Sequence, residues 1–197
     1  MRRLRGSIDR VVPEARLEET DAGLVPASDG WFVLNARDAR WFHREGRGES
    51  LPLTGWDDEE VDAYFPQLGV NLVVLGPSEP ISMYHWESDQ EDFLLLAGEA
   101  ILIVEGQERA LRRWDFVHCP PDTKHTIVGA GRGPCIVLAV GAREHQASEA
   151  WGGYTRDELA LRHGAGAEEE TSDQEVAYAR FASSVPARYR DGLLPSE

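Results

Sequence analysis

The stretch that decides the fold is His85-Trp86-Glu87-Ser88-Asp89-Gln90-Glu91, which His125 follows further along the chain. We predict one extended strand here, and alternate side chains of a strand point to the same face. His85, Glu87 and Glu91 are then predicted to converge on one side of a sheet. His125 follows the rigid Pro120-Pro121 turn and can close the set. Imidazole and carboxylate groups together are suited to a divalent first-row metal.

The same stretch resembles the first sequence motif of the cupin family, which runs H-x-H, three or four residues, E, six residues, G. His85 and Glu91 match the first His and the Glu of that motif, and Glu87 stands in place of the second His. Six residues after Glu91, the chain has the matching Gly98.

A second stretch resembles the other cupin motif, and the two together cover roughly residues 68–142. Pro120 and His125 match the motif. Trp114 and Asp122 stand for its two glycines, and Gly129 replaces its Asn. The resemblance implies a jelly-roll barrel with a metal site inside it, on a small single-domain protein.

We predict that the metal ligands are His85, Glu87, Glu91 and His125. Two imidazoles and two carboxylates favour one divalent transition metal ion, namely Zn, Mn, Fe or Ni. Glu87 has an alternative role as a group that orients His125 or acts as a general base. The alternative to a metal site is a polar pocket in which Glu87 and Glu91 repel each other, so that one of them takes a proton.

Other residues near the motifs are assigned by strand parity and spacing. Met83, Phe93 and Leu95 share the parity of His85 and are predicted to line the cavity. Asp92 has the opposite parity and is expected on the outer face. Tyr84 and Trp86 are expected in an interface or helix contact. The remaining histidines are interpreted as surface or partnered groups: His43, His118, His145 and His163.

Composition excludes several classes of partner. The chain has 197 residues and a net charge of −15, which disfavours nucleic acid and anionic membranes because their phosphates would be repelled. Its two cysteines, Cys119 and Cys135, lie in apolar runs and are expected as buried free thiols in a reducing cytoplasm. No secretory signal or spanning segment is recognised, so a cytoplasmic location is expected.

The chain as a whole is predicted to be all-β: a cupin-like jelly-roll β-barrel with an N-terminal arm and short C-terminal helices. Short apolar runs separated by Gly and Pro turns, without helices between them, are typical of such barrels. The arm and added strands cover residues 1–65, the barrel 66–145, and the helical tail 146–197. Within the arm, strands are predicted at 31–36 and 40–43 and a helix at 57–65. Capping boxes begin the tail helices at Thr155 and Ser172, and Gly164 ends the first of them.

Two functions remain open from the sequence. One is a mononuclear metal enzyme, of dioxygenase, isomerase or decarboxylase type, that acts on a small organic molecule in the barrel. The other is a non-catalytic cupin that binds a small molecule. A homodimer is also expected, because the aromatic residues predicted to be exposed exceed what a small monomer leaves in water; these are Trp31, Trp41, Tyr84 and Trp86.

Overall fold

The structure, a computed structural model, describes residues 12–54, 67–145, 148 and 151–195. Its strands are β1 (Leu17–Thr20), β2 (Gly23–Pro26), β3 (Trp41–His43), β4 (Glu49–Thr54), β5 (Leu68–Leu75), β6 (His85–Glu87), β7 (Glu91–Ala97), β8 (Glu99–Val104), β9 (Gln107–Arg112), β10 (Phe116–Cys119), β11 (His125–Gly129), β12 (Cys135–Ala142), β13 (Gly152–Tyr154) and β14 (Val185–Ala187). Two short helices, α1 (Glu158–Arg162) and α2 (Gln174–Ala177), lie between β13 and β14.

These strands form two antiparallel sheets and one separate hairpin. The seven-stranded sheet has the order β10-β7-β12-β5-β4-β3-β14, and the five-stranded sheet has the order β13-β6-β11-β8-β9. Strands β1 and β2 form the hairpin, and Leu24 of β2 makes one further isolated bridge, to Ala39. Strands from the arm and the tail therefore extend the sheets that the barrel segment begins. This arrangement confirms the expected all-β jelly-roll fold.

The main core lies between the two sheets. Val73, Leu95 and Val137 come from the seven-stranded sheet, and Leu102 and Ile127 from the five-stranded sheet, and all are buried in one cluster. Burying their apolar surface is the main force that holds the sheets face to face. The two cysteines are buried free thiols, as expected. Among the described residues, no helix has the length and apolar character that crossing a bilayer requires.

The prediction of one extended strand from His85 to Glu91 was wrong. Strand β6 ends at Glu87, and Glu91 begins β7 in the other sheet. The chain turns between them at Ser88–Gln90, where the buried Asp89 carboxylate accepts hydrogen bonds from the backbone N and the Nδ1 of His145, each 2.7 Å long. Because these bonds fix the turn, the three predicted site residues come from two sheets and not from one strand face.

The arm and tail differ from prediction in several details. Of the two predicted arm strands, 40–43 is confirmed as β3, whereas 31–36 makes only one isolated bridge, from Trp31 to Glu14. Strands β1, β2, β4, β13 and β14 were not predicted. The predicted helix at 57–65 lies outside the described residues.

The helix caps are acidic residues next to the predicted ones. Helix α1 begins after Asp157, whose side chain accepts a hydrogen bond of 2.8 Å from the backbone N of Ala160. Helix α2 begins after Asp173, in the same way. Thr155 and Ser172 are therefore not the caps, since an aspartate, an equally strong or stronger cap, lies nearer each helix. The predicted end of α1 is confirmed, because Gly164 has a φ of +67°.

Both residues that stand for motif glycines have the backbone conformation that glycine favours. The φ angles are +77° at Trp114 and +68° at Asp122. This left-handed region is uncommon for residues with a Cβ, although Asp adopts it more readily than most. The backbone course of the second motif is thus kept although its glycines are replaced.

Gly98 joins β7 to β8 at a position that excludes any side chain. Its φ is +74°, and a Cβ there would lie 2.6 Å from the carbonyl oxygen of Pro134. We expect Gly98→Ala to destabilise the fold by about 2–4 kcal/mol, from left-handed strain together with overlap against backbone. Gly133→Ala is the control, because no atom lies within 4 Å of a Cβ there. Urea unfolding of both variants measures the difference, and equal midpoints would contradict this account of Gly98.

Candidate metal centre

Three of the four predicted ligands meet where the two sheets approach each other. His85 is the first residue of β6 and His125 the first residue of β11, and the two are directly paired across the ladder. Glu91 is the first residue of β7 in the opposing sheet. The pairing places the two imidazole rings 5.0 Å apart, centroid to centroid. Each sheet thus supplies part of the cluster.

Backbone carbonyls orient both imidazole rings. The Nδ1 of His85 lies 2.9 Å from the carbonyl oxygen of Met83, and the Nδ1 of His125 lies 2.9 Å from that of Thr123. A carbonyl can only accept, so Nδ1 carries the proton and donates it in each ring. In a neutral ring the Nε2 lone pair is then free, which is the tautomer that a metal-binding histidine adopts.

The free nitrogens face one carboxylate oxygen. Oε2 of Glu91 lies 3.4 Å from Nε2 of His85 and 3.2 Å from Nε2 of His125. The ligand atoms of these three residues all lie within 4.8 Å of one another. Ligands at about 2.1 Å from a common ion are separated by roughly 3.0–3.4 Å in octahedral or tetrahedral geometry. The two distances from Oε2 of Glu91 to the imidazole nitrogens therefore fit a shared divalent ion.

Two atoms of the cluster are buried without a hydrogen-bond partner. They are Oε2 of Glu91 and Nε2 of His125. A buried polar atom that makes no hydrogen bond costs free energy, so native structures rarely leave one unsatisfied. Coordination of a divalent ion would satisfy both atoms at once. The chemistry of the donor set, two imidazoles and one carboxylate, fits such an ion.

Glu87 lies beside the cluster and not within it. Its Oε1 is 3.6 Å from Nε2 of His85, but Glu87 is not among the three residues whose ligand atoms are all mutually close. Its side chain is 29% exposed, against 16% for Glu91. The structure thus places Glu87 at the edge of the cluster, next to one imidazole. Whether Glu87 ligates the ion or acts as a base stays a prediction.

The electrostatics of the three residues are tightly coupled when no ion is bound. Burial alone would raise the pKa of Glu91, but the adjacent imidazoles of His125 and His85 outweigh burial and hold this pKa well below its usual range. Burial alone would lower the pKa of His85, but Glu87 and Glu91 raise it to about 10. In the alternative polar pocket without an ion, Glu91 is therefore not the carboxyl that takes a proton.

A cavity of about 320 Å³ opens beside the cluster. It is lined by His85, Glu87 and Glu91 and, of the three predicted lining residues, by Phe93. Met83 is instead buried against Tyr154 and the tail, and Leu95 is buried in the main core. Met83 lies outside the lining because it precedes β6, which begins only at His85. Leu95 lies outside the lining because the two sheets close over its side chain. The volume suits a small metabolite, since ligand pockets span about 300–1,000 Å³.

The outer-face assignments agree with the structure. Asp92 pairs with His118 across β7 and β10, and Oδ1 of Asp92 lies 2.7 Å from Nδ1 of His118. Each of the remaining histidines bonds an acid away from the cluster: His43 to Glu49, His145 to Asp89 and His163 to Glu108. Tyr84 is buried against α1, which is the helix contact that was expected.

The aromatic argument for a homodimer was wrong in part. Trp41 and Tyr84 are buried within the chain, with exposures of 0% and 2%, and Trp86 is half-buried. Trp31 alone of the four is well exposed, at 52%. The homodimer itself stays a prediction.

Several cavity residues were missed by the sequence reasoning. Tyr154 reaches the site because β13 pairs with β6, which places Tyr154 opposite His85. Tyr178 comes from the tail, and two arginines come from the turn after β3. The only hint in the sequence was the pair of arginines in Arg44-Glu45-Gly46-Arg47-Gly48, directly after a predicted strand. Nothing in the tail sequence indicates that it returns to the barrel.

Part of the chain is similar to a known protein family. The family model described as "Cupin domain" matches residues 71–141. A search of curated proteins gives no match. Among solved structures, a sugar phosphate isomerase from a cupin superfamily, from Silicibacter pomeroyi, has 29% identity and a TM-score of 0.40, over 55% of this chain and 62% of that one.

Two further solved structures are similar. A putative sugar phosphate isomerase from Acidithiobacillus ferrooxidans has 25% identity and a TM-score of 0.38, over 39% of this chain and 51% of that one. A Cupin 2 conserved barrel domain protein from Salinispora arenicola also has 25% identity and a TM-score of 0.38, over 47% of this chain and 72% of that one. The matches to the two isomerases span less than two thirds of those chains. Residues 71–141 of this chain thus match the cupin domain family, and this segment contains His85, Glu91 and His125.

Proposed function

We propose that the protein is a mononuclear metal enzyme that acts on a small organic molecule in the cavity. The observation that carries this proposal is the convergence of His85, Glu91 and His125 on one point, with two buried atoms left unsatisfied. A divalent ion held by these three residues would polarise an oxygen of the substrate as a Lewis acid. Three protein ligands leave coordination positions open, as catalytic metal sites require.

Two further residues that line the cavity are our candidates for proton transfer. Glu87 lines the cavity with a partly exposed carboxylate, and in this role it accepts a proton from the bound molecule. Tyr154 lines the same cavity, and burial, followed by the nearby Tyr178, raises the pKa of its phenol. Tyr154 therefore stays protonated at neutral pH and can donate a hydrogen bond or a proton. A carboxylate and a phenol beside a metal site support chemistry of isomerase type among the three reaction types considered.

The experiment is a turnover screen with the metal-loaded protein. It is incubated with a deproteinised extract of small molecules, and mass spectrometry compares the extract before and after. We expect at least one compound to be converted by the metal-loaded protein and not by protein treated with a chelator. Binding without conversion, with every metal among Zn, Mn, Fe and Ni, would contradict the enzyme and favour the non-catalytic binder.

The variant Glu87→Gln separates the two roles of Glu87. If Glu87 is the base, we expect turnover to fall by roughly 100-fold or more while the metal content stays that of the wild type. Elemental analysis and the turnover assay are made on the same sample. Loss of the metal together with the activity would show that Glu87 is a ligand, and unchanged turnover would exclude both roles.

A further inference from the structure

Two arginines enter the cavity from the turn between β3 and β4. Arg44 and Arg47 both line the same space as His85, Glu87 and Glu91. Three hydrogen bonds to backbone oxygens fix them: Arg44 Nη1 and Arg47 Nη2 donate to the carbonyl of Ile81 at 3.3 Å and 3.2 Å, and Arg44 Nη2 donates to that of Arg47 at 2.8 Å. The two guanidinium groups are thus held side by side in defined positions.

The acids near this arginine pair act on it only from a distance, with Glu79 and Glu49 favouring the charged form of Arg44. Among the described residues, neither Arg44 nor Arg47 has a carboxylate within ion-pair distance. Two acids near Arg44 have other partners: Glu49 bonds His43 and Arg190, and Glu79 accepts a hydrogen bond from the backbone N of Gly76 at 2.6 Å. Two like charges at one wall of a cavity repel each other, and they persist in a fold only when something offsets the cost.

The same wall contains donors that have no acceptor. The Nε atoms of Arg44, Arg47 and Arg143 are buried and make no hydrogen bond. Arg143 follows the end of β12 and also lines the cavity. Burial, with the charge of Arg47 as the second cause, lowers the pKa of Arg44 to about 9, so it remains cationic at neutral pH. The cavity therefore has a cationic wall with unused donors beside its carboxylates.

Among the described residues, an aromatic ring partly offsets the charge of only one of these three arginines. The Arg47 guanidinium lies 4.1 Å from the ring centroid of Tyr178, which partly compensates its charge. No such contact is found for Arg44 or Arg143 among the described residues. A bound oxyanion would satisfy all three, because a guanidinium group donates two parallel hydrogen bonds to a carboxylate or a phosphate.

We propose that the molecule bound in this cavity is a small organic anion whose carboxylate or phosphate group is held by Arg44, Arg47 and Arg143. This inference rests on the proposed function, because the anionic group anchors the substrate while its other end faces His85, Glu91 and His125. The cavity volume of about 320 Å³ restricts the anion to a small metabolite. The arginines are positioning and specificity-determining residues, and the reacting atoms lie at the other end of the molecule.

The experiment measures binding of inorganic phosphate and of succinate to the full chain by calorimetry. Both probes carry an oxyanion, and a preference between them distinguishes a phosphate from a carboxylate substrate. We expect at least one probe to bind, and Arg47→Gln and Arg44→Gln each to weaken that binding by about tenfold or more. Arg112→Gln is the matched control, because its side chain is 89% exposed on β9, and it should bind as the wild type does.

A second variant keeps the test decisive if a glutamine variant fails to fold. Arg47→Lys retains the charge but loses the planar fork, so it should bind more weakly than the wild type and more tightly than Arg47→Gln. Metal content is measured in every sample. If neither probe binds, or if the arginine variants bind as the wild type does, this inference is overturned while the metal site stands. If the probes bind as expected but the wild type takes up no metal, the proposed function fails and the anion site stands.

Discussion

Replacing Glu91 with glutamine is expected to weaken metal binding by more than about 100-fold. Loss of a residue that only orients a metal ligand already lowers metal affinity by about 10–100-fold, and Glu91 is itself one of the proposed ligands. Glu91 supplies the one oxygen that faces both imidazole nitrogens, at 3.4 Å and 3.2 Å. Glutamine keeps the shape of the side chain and removes its charge, so the fold should survive. Competition with a fluorescent metal indicator measures the change in dissociation constant.

The matched control for Glu91→Gln is Asp92→Asn on the same strand. Asp92 is the adjacent acid of β7, but it points to the outer face and bonds His118. Its replacement removes the same charge from the chain without touching the cluster. We expect metal binding by Asp92→Asn to equal that of the wild type. Equal loss in the two variants would indicate that general acidity, and not the cluster, attracts the ion.

The second large effect is the pH dependence of stability. In metal-free protein, burial opposes protonation of both histidines, but their partners raise the pKa of His85 from 6.5 to about 10 and that of His125 from 6.5 to about 9. A group whose pKa is raised by folding stabilises the fold fully at pH values below its unfolded pKa. This stabilisation is lost as the pH rises through its folded pKa. Metal-free protein is therefore expected to lose stability progressively as pH rises above 6.5 toward 10.

A bound ion reverses this dependence, because it requires neutral imidazoles. Protons compete with the ion at low pH, so metal-dependent stabilisation should be small near pH 5 and grow through about pH 8.5. Melting temperatures of metal-loaded and chelator-treated protein across this range measure the difference. Glu91 stabilises both the metal-loaded and the metal-free fold at neutral pH. Because folding lowers its pKa, it contributes stability above its unfolded pKa of 4.5, and this contribution is lost only as the pH falls through the folded pKa. A difference in melting temperature that stays constant or shrinks as pH rises would contradict coupling of the ion to these histidines.

Much of the site could be predicted because its spacing is local. His85 and Glu87 are two residues apart on β6, so strand periodicity alone places both toward the cavity. The motif turns are also local, as Gly98 and the left-handed Asp122 show. Glu91 was assigned to the correct cluster for an incorrect reason. The prediction relied on Glu91 sharing a strand face with His85, but the chain turns at Ser88–Gln90 and enters the other sheet before Glu91.

The rest of the site depends on pairing between distant segments. Tyr154 lies in the cavity because β13 joins the edge of the five-stranded sheet next to β6, and its three residues carry no periodic pattern. Arg44 and Arg47 lie in a short turn, where charged residues are ordinarily solvated. Their partial burial becomes evident only once β3 and β4 are added to the seven-stranded sheet. Long-range register of this kind is set by the packed fold and not by local sequence.

Elemental analysis of the full chain, purified without chelator and without added metal, tests the central claim most directly. The account predicts about one divalent transition metal ion per chain in the wild type, held by three protein ligands with coordination positions left open. It also predicts almost none in Glu91→Gln and a wild-type amount in Asp92→Asn. A wild-type protein that contains no stoichiometric metal, and takes up none when Zn, Mn, Fe or Ni is supplied at neutral pH, would contradict the metal centre at His85, Glu91 and His125.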